Sequence, residues 1–195
     1  MTQALARRSE RRTKQRAANR GAILDAARRV ALREGAGDLS LRAVAGEAGY
    51  ATASVYEYFH NRAELVLALA ADDLSQMVRS LREAGGGQAG AARAALEALK
   101  TGGALPAAAA TLEAGSAPTE AERLFNGKLI AALTALSEAA GRTPLKNRDD
   151  QADVVLLAAA IAGLAALARA GRLKALGFEE SELLQRLDRR FAPPA

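Results

Sequence analysis

Residues 39–69, LSLRAVAGEAGYATASVYEYFHNRAELVLAL, constrain this chain more than any other stretch. Ser40 can cap a helix in which Leu41, Val44, Ala45 and Ala48 fall at i, i+3, i+4 and i+7, a single apolar stripe. Gly49 ends that helix, and its access to positive φ lets the chain turn sharply. A second short helix is expected over residues 52–59, and Asn61 can cap a third, over 62–83. Tyr50, Tyr56, Tyr58 and Phe59 all lie here, although the whole chain has three Tyr, four Phe and no Trp. Two short helices around a Gly-containing turn, stiffened by aromatics, form the pattern of a helix-turn-helix.

The charge distribution points the same way. The chain carries +5 overall, but residues 1–20 hold Arg7, Arg8, Arg11, Arg12, Lys14, Arg16 and Arg20 against Glu10 alone, a net +6. Everything beyond is therefore close to neutral. Residues 1–19 are expected to form a flexible basic arm, in which Arg11, Arg12, Lys14, Arg16 and the adjoining Arg20 neutralise phosphates. Across residues 21–62, Arg28, Arg29, Arg33, Arg42 and Arg62 are balanced by Asp25, Glu34, Asp38, Glu47 and Glu57. Attraction to a polyanion must come from the arm.

Composition excludes several classes of chemistry. With no Cys there is no disulfide, thiolate nucleophile or Cys-ligated zinc, and one His makes a His-rich metal site or a Ser–His–Asp triad a poor reading. No P-loop, G-x-G-x-x-G or H-E-x-x-H pattern occurs, so neither an enzyme nor a cofactor is expected. The N-terminus is charged rather than apolar, and the uncharged run at 154–168 is shorter than the roughly 17–25 residues a bilayer span requires. A cytoplasmic protein without a membrane partner is the expectation.

Periodicity predicts an all-α chain of about nine helices. The first spans 20–34, with Ile23, Ala27, Val30 and Ala31 on one face. Past the Gly85–Gly87 break come helices near 91–101, 105–114, 118–140, 149–173 and 179–191. The organisation expected is the arm at 1–19, a three-helix unit at 20–66 and a larger helical unit at 67–195.

The pattern I23-L24-D25-A26-A27, S40-L41-R42-A43-V44-A45, A48-G49-Y50, S54-V55-Y56-E57-Y58-F59 and N61-R62-A63-E64-L65 resembles the TetR family of bacterial transcriptional regulators. The resemblance covers about residues 20–69. It implies a regulator, most simply a repressor, that binds a double-stranded, pseudo-palindromic DNA operator as a homodimer. It also implies release by a small-molecule effector, expected here to be largely apolar because the C-terminal unit offers few polar handles. By the same resemblance Arg42, Thr52, Ala53 and Ser54 are base contacts, while Ser40, Tyr56, Tyr58 and Arg62 hold phosphates. On physical grounds Val55 and Phe59, at i and i+4, should face inward, leaving Thr52, Ala53, Tyr56 and Glu57 outward.

The helix near 149–173 is apolar on most of its circumference, so it must be covered on several sides. Leu157, Ile161 and Leu164, together with Leu183 and Leu187 of the last helix, are expected to form a four-helix interface between two subunits. Ala159, Ala162, Gly163 and Ala166 provide a second, small-residue surface. A regulator without a small-molecule effector, governed by a protein partner or its own abundance, is the alternative. No residue is assigned to a ligand.

Overall fold

The computed structural model describes residues 2–112, 117–142 and 148–191, with side chains from Arg7 onward. Pro144, Pro193 and Pro194 lie outside the described residues. Among the described residues there are ten α-helices, one 3-10 turn and no strand. The helices are α1 (Thr2–Glu34), α2 (Leu41–Ala48), α3 (Thr52–Tyr56), α4 (Arg62–Glu83) and α5 (Gly87–Gly102). They continue with α6 (Leu105–Ala109), α7 (Glu120–Ala139), α8 (Arg148–Arg169), α9 (Arg172–Ala175) and α10 (Glu180–Arg190).

The N-terminal arm departs from expectation. Instead of a flexible segment before a helix starting at residue 20, α1 runs continuously from Thr2, about 50 Å at 1.5 Å per residue. Its first half has no buried face: residues 7–18 are exposed throughout, and the apolar stripe begins only at Ile23. Helical propensity and local pairs sustain this half, including Lys14–Glu10 at 2.7 Å and Gln15 to Asn19 at 2.9 Å.

The head consists of α2, α3 and the second half of α1 around a closed core. Ile23, Ala27 and Val30 of α1 meet Val44 of α2, Val55 of α3 and the Phe59 ring just beyond it, all fully buried. Leu65 and Leu69 extend that core into α4. Helix α4 thus belongs to both halves of the molecule, and farther along it packs against α5 and α7. Thr119 caps α7 in a reciprocal box with Glu122, its hydroxyl accepting from the Glu122 amide while Glu122 accepts from the Thr119 amide.

The helix expected over 149–173 divides in two. Gly171 takes φ +65°, which ends α8 and leaves α9 as a separate turn, so the described residues hold ten helices where nine were expected. A second correction concerns which face of α8 is inside. Leu157 and Ile161, expected at a subunit interface, are 0% and 1% exposed and point into the chain's own core with Val154 and Ala165. Leu164 is half-buried against that core, as is Leu187 of α10 beside Leu184 and Phe191. Leu183 is half-buried as well. The uncovered stripe of α8 is Ala152, Val155, Leu156, Ala159, Gly163, Ala166 and Leu167. It contains Ala159, Gly163 and Ala166 of the small-residue surface read from the sequence, whereas Ala162 is half-buried. By length and composition α8 also resembles a membrane-crossing helix, with a mean hydropathy of 2.0. Its packing against α5, α7 and α10 instead builds it into the helical body.

Candidate nucleic-acid interface

The turn between α2 and α3 is set by local chemistry. Ser40 Oγ accepts from the Ala43 amide at 3.2 Å, capping α2 at its start. At its end Gly49 adopts φ +70°, and the Tyr50 amide returns to the Ala45 carbonyl at 3.0 Å. A side chain at Gly49 would be strained by that φ whatever the space around it. Helix α3 then leaves at an angle fixed from behind by Val55 and Phe59.

Burial of those two residues determines what faces out. Thr52, Ala53, Tyr56 and Glu57 are exposed, Tyr56 to 50%, and Ser54 is half-buried. Helix α3 is shorter than the expected 52–59: the Tyr58 and Phe59 amides both turn back onto the Val55 carbonyl at 3.0 Å, closing the last turn. On α2 the Arg42 side chain is exposed and has no hydrogen-bond or ion-pair partner among the described residues. Its neighbours on the head are committed: Arg29 and Arg33 both grip Glu47, at 2.7 and 3.2 Å, and join α1 to α2. These hydrogen bonds, that from Arg29 foremost, hold the Glu47 carboxyl below its ordinary range.

The basic half of α1 docks on the far end of the recognition element. Arg16 Nη2 donates to the Glu57 carbonyl at 3.1 Å, and its guanidinium lies 5.3 Å from the Tyr58 ring centroid. Asn19 Nδ2 donates to the Tyr58 hydroxyl at 3.1 Å, and Arg20 sits 5.0 Å over the Phe59 ring. Arg16 and Arg20, expected among the arm's phosphate contacts, are therefore tied to aromatic rings of the head, while Arg11 and Arg12 remain exposed. Lys14 is exposed but paired with Glu10. Tyr58, accepting from Asn19, keeps its own hydroxyl proton available for donation.

Arg62 has a different placement from the one its resemblance implied. Its guanidinium turns inward, donating through Nε to the Leu39 carbonyl at 3.0 Å and through Nη2 to the carbonyls of Ala36 and Gly37. It thereby holds the 3-10 turn Ala36–Asp38 that leads into α2. His60 and Glu64 close the start of α4, the Glu64 carboxylate accepting from the His60 amide at 2.8 Å. Arg28, which has no role legible in the sequence, links head and body: its Nη2 reaches Asp72 at 2.7 Å and Asp73 at 3.0 Å on α4. Asp73 also accepts from the Ala104 amide at 3.4 Å, before α6. Its burial pushes the Asp73 carboxyl upward, against the opposing pull of Arg28. The hint was available in the adjacent acids Asp72-Asp73, but no local spacing pairs them with a residue more than forty positions earlier.

The comparisons with known proteins agree with this geometry. Residues 23–69 match the family described as bacterial regulatory proteins, tetR family. The nicotine-responsive HTH-type transcriptional repressor HdnoR of Paenarthrobacter nicotinovorans is 46% identical over 59 residues, which are 30% of this chain and 30% of that protein. The chain thus spans under a third of the curated relative it matches. Across the body the likeness lies in the fold. A TetR transcriptional regulator from Rhodococcus sp. RHA1 superposes with a TM-score of 0.66 at 18% identity, over 91% of this chain and 97% of the other. A TetR-family regulator from Streptomyces coelicolor gives a TM-score of 0.59 at 22% identity, over 89% and 99%. Residues 23–69 thus carry the sequence of the tetR family of bacterial regulatory proteins, and the chain as a whole shares the fold of solved TetR-type regulators.

Proposed function

We propose that this protein is a sequence-specific DNA-binding transcriptional regulator, acting as a homodimeric repressor whose hold on a pseudo-palindromic operator is released by a small, largely apolar ligand. The observation that carries this reading is the head itself. Arg42, Thr52, Ala53, Ser54 and Tyr56 are presented together, with Val55 and Phe59 locked behind them and a basic helix docked at one end. Arg42 can pair bidentately with guanine O6 and N7, Thr52 and Ser54 can reach base edges, and Ala53 can touch a thymine methyl. Ser40, Tyr56 and Tyr58 donate hydroxyl protons to phosphates and so position the head without reading sequence. Arg62, spent on backbone carbonyls, supports this surface from inside.

A second subunit covers the open stripe of α8. Val155 and Leu156 are 53% and 56% exposed, and Ile130 of α7 is 65% exposed beside them. Between α7 and α8 lies an apolar cleft of about 800 Å3 lined by Ile130, Leu133, Val155 and Leu156. Exposed apolar surface of this extent on a soluble protein calls for a partner. A two-fold pairing through α8, with Leu164 and Leu183 at its edge, supplies the symmetry a palindrome demands. The relative HdnoR is named as nicotine-responsive, but the matching residues are those of the head, so its effector is not carried over. The reading is tested by a gel shift on the DNA immediately upstream of the gene: a discrete complex that Arg42→Ala weakens supports it, and no shift below micromolar protein contradicts it.

A further inference from the structure

A cleft of about 600 Å3 lies where head and body meet, lined by Ala36 and Gly37 of the 3-10 turn, Leu99 of α5, Pro106 of α6, and Ala162 and Arg169 of α8. Its walls present Ala, Gly, Leu and Pro, and Arg169 is the one ionisable side chain on them. We propose that this cleft binds a monocarboxylate with an aliphatic body, the tail against the apolar walls and the carboxylate on Arg169.

Two observations support the assignment. Arg169 has no hydrogen-bond or ion-pair partner among the described residues, whereas Arg28, Arg29, Arg33, Arg62 and Arg142 are each held by carboxylates or carbonyls. Its guanidinium lies flat against Gly103, where a β-carbon would stand 2.6 Å from Cζ. The glycine, at φ +82°, makes room for the cation at the rim of the cleft. A single guanidinium with no other charged neighbour on the walls matches one carboxylate through two parallel N–H donors. The volume is that of a small-molecule site, and its apolar walls with one convergent polar group fit the usual build of such sites.

The position carries a consequence for control. The cleft touches Ala36 and Gly37, whose carbonyls Arg62 holds, and the α5–α6 turn, whose Ala104 amide reaches Asp73 and through it Arg28. An occupant contacts both routes from body to head. This part rests on the proposal of a ligand-released regulator.

The test is calorimetry on the full chain with octanoate, octanol (the same tail) and acetate (the same head). Octanoate should bind saturably, with octanol and acetate each at least about tenfold weaker. Arg169→Gln should weaken octanoate about tenfold or more while leaving octanol unchanged. Ala107→Phe, which fills the cleft, should weaken octanoate and octanol alike. No saturable octanoate binding, or equal affinity in Arg169→Gln, overturns the site. Octanoate bound through Arg169 without any change in DNA affinity leaves the site standing and overturns its role as effector site. Failure of the protein alone to bind DNA removes the regulator reading and not the carboxylate site.

Discussion

Arg16 lies across Tyr58: its guanidinium carbon is 5.3 Å from the ring centroid, and its Nη2 donates to the neighbouring Glu57 carbonyl at 3.1 Å. The contact fixes the basic half of α1 relative to the recognition helix. Positive charge on that half is therefore held at a defined angle to the exposed face of α3 instead of sweeping through solvent. The near-neutral head gains a rigid electrostatic extension.

The extension should dominate salt dependence. Removing residues 1–15 deletes the exposed Arg7, Arg8, Arg11 and Arg12 but keeps the Arg16–Tyr58 contact. If two to four of these meet phosphates, the slope of log affinity against log salt should fall by about 2–4. Arg16→Ala should remove less charge yet still reduce affinity, because the remaining arginines lose their fixed direction. Fluorescence anisotropy across a salt series checks both, and an unchanged slope in the truncated chain would sink the idea.

Arg42 and Arg62 should separate cleanly. Arg42→Ala should relax preference at one base pair at a cost of about 1–3 kcal/mol and leave thermal stability unchanged. Arg62→Ala should do the opposite first, destabilising the fold by about 1–3 kcal/mol through loss of its bonds to the Leu39, Ala36 and Gly37 carbonyls. Arg62→Lys should not restore it, since an ammonium cannot span three carbonyls in a plane. Urea denaturation beside binding to mutated operators distinguishes the two.

Arg28 and Asp73 give a pH signature. The folded chain raises the Asp73 carboxyl above its unfolded value through burial, partly offset by Arg28. Arg28→Ala removes that offset, so the folded chain takes up a proton still more readily. The variant should be less stable by about 1–3 kcal/mol at pH 7. The deficit should shrink as pH falls toward about 4, where protonation relieves the buried charge. Combining Arg28→Ala with Asp73→Asn should abolish the narrowing. Denaturation of the parent chain and the two variants at pH 7 and pH 4.5 measures it, and a constant deficit in Arg28→Ala would contradict the pairing.

The proposed subunit contact should fail on insertion of charge into the open α8 stripe. Leu156→Glu should yield a monomer at micromolar concentration with its helical content kept, and operator affinity should drop with it. Leu157→Glu, one residue away but buried, should instead unfold the chain. Sedimentation of a Leu156→Glu dimer as stable as the parent would place the interface elsewhere.

How far the sequence led is best seen in these residues. Val55 and Phe59 were legible as inward because i, i+4 apolar spacing on a short helix between two caps leaves little choice. Ser40, Gly49 and Asn61 were legible for the same local reason. The arm's helix was not, since residues 7–18 bury nothing and so carry no apolar period to read. Leu157 and Ile161 could not be told from Val155 and Leu156, because a helix apolar all round has no polar face to orient it. Arg62 and Arg28 depended on partners 23–45 residues away, which spacing does not reveal.

The most direct measurement is selection of bound sequences from a pool of random duplex DNA, with Arg42→Ala run in parallel. A homodimeric reader should select two inverted half-sites at a fixed separation, and the variant should lose preference at one symmetric pair of positions. No enriched sequence, a single asymmetric site, or the same motif with unchanged preference in Arg42→Ala would contradict it.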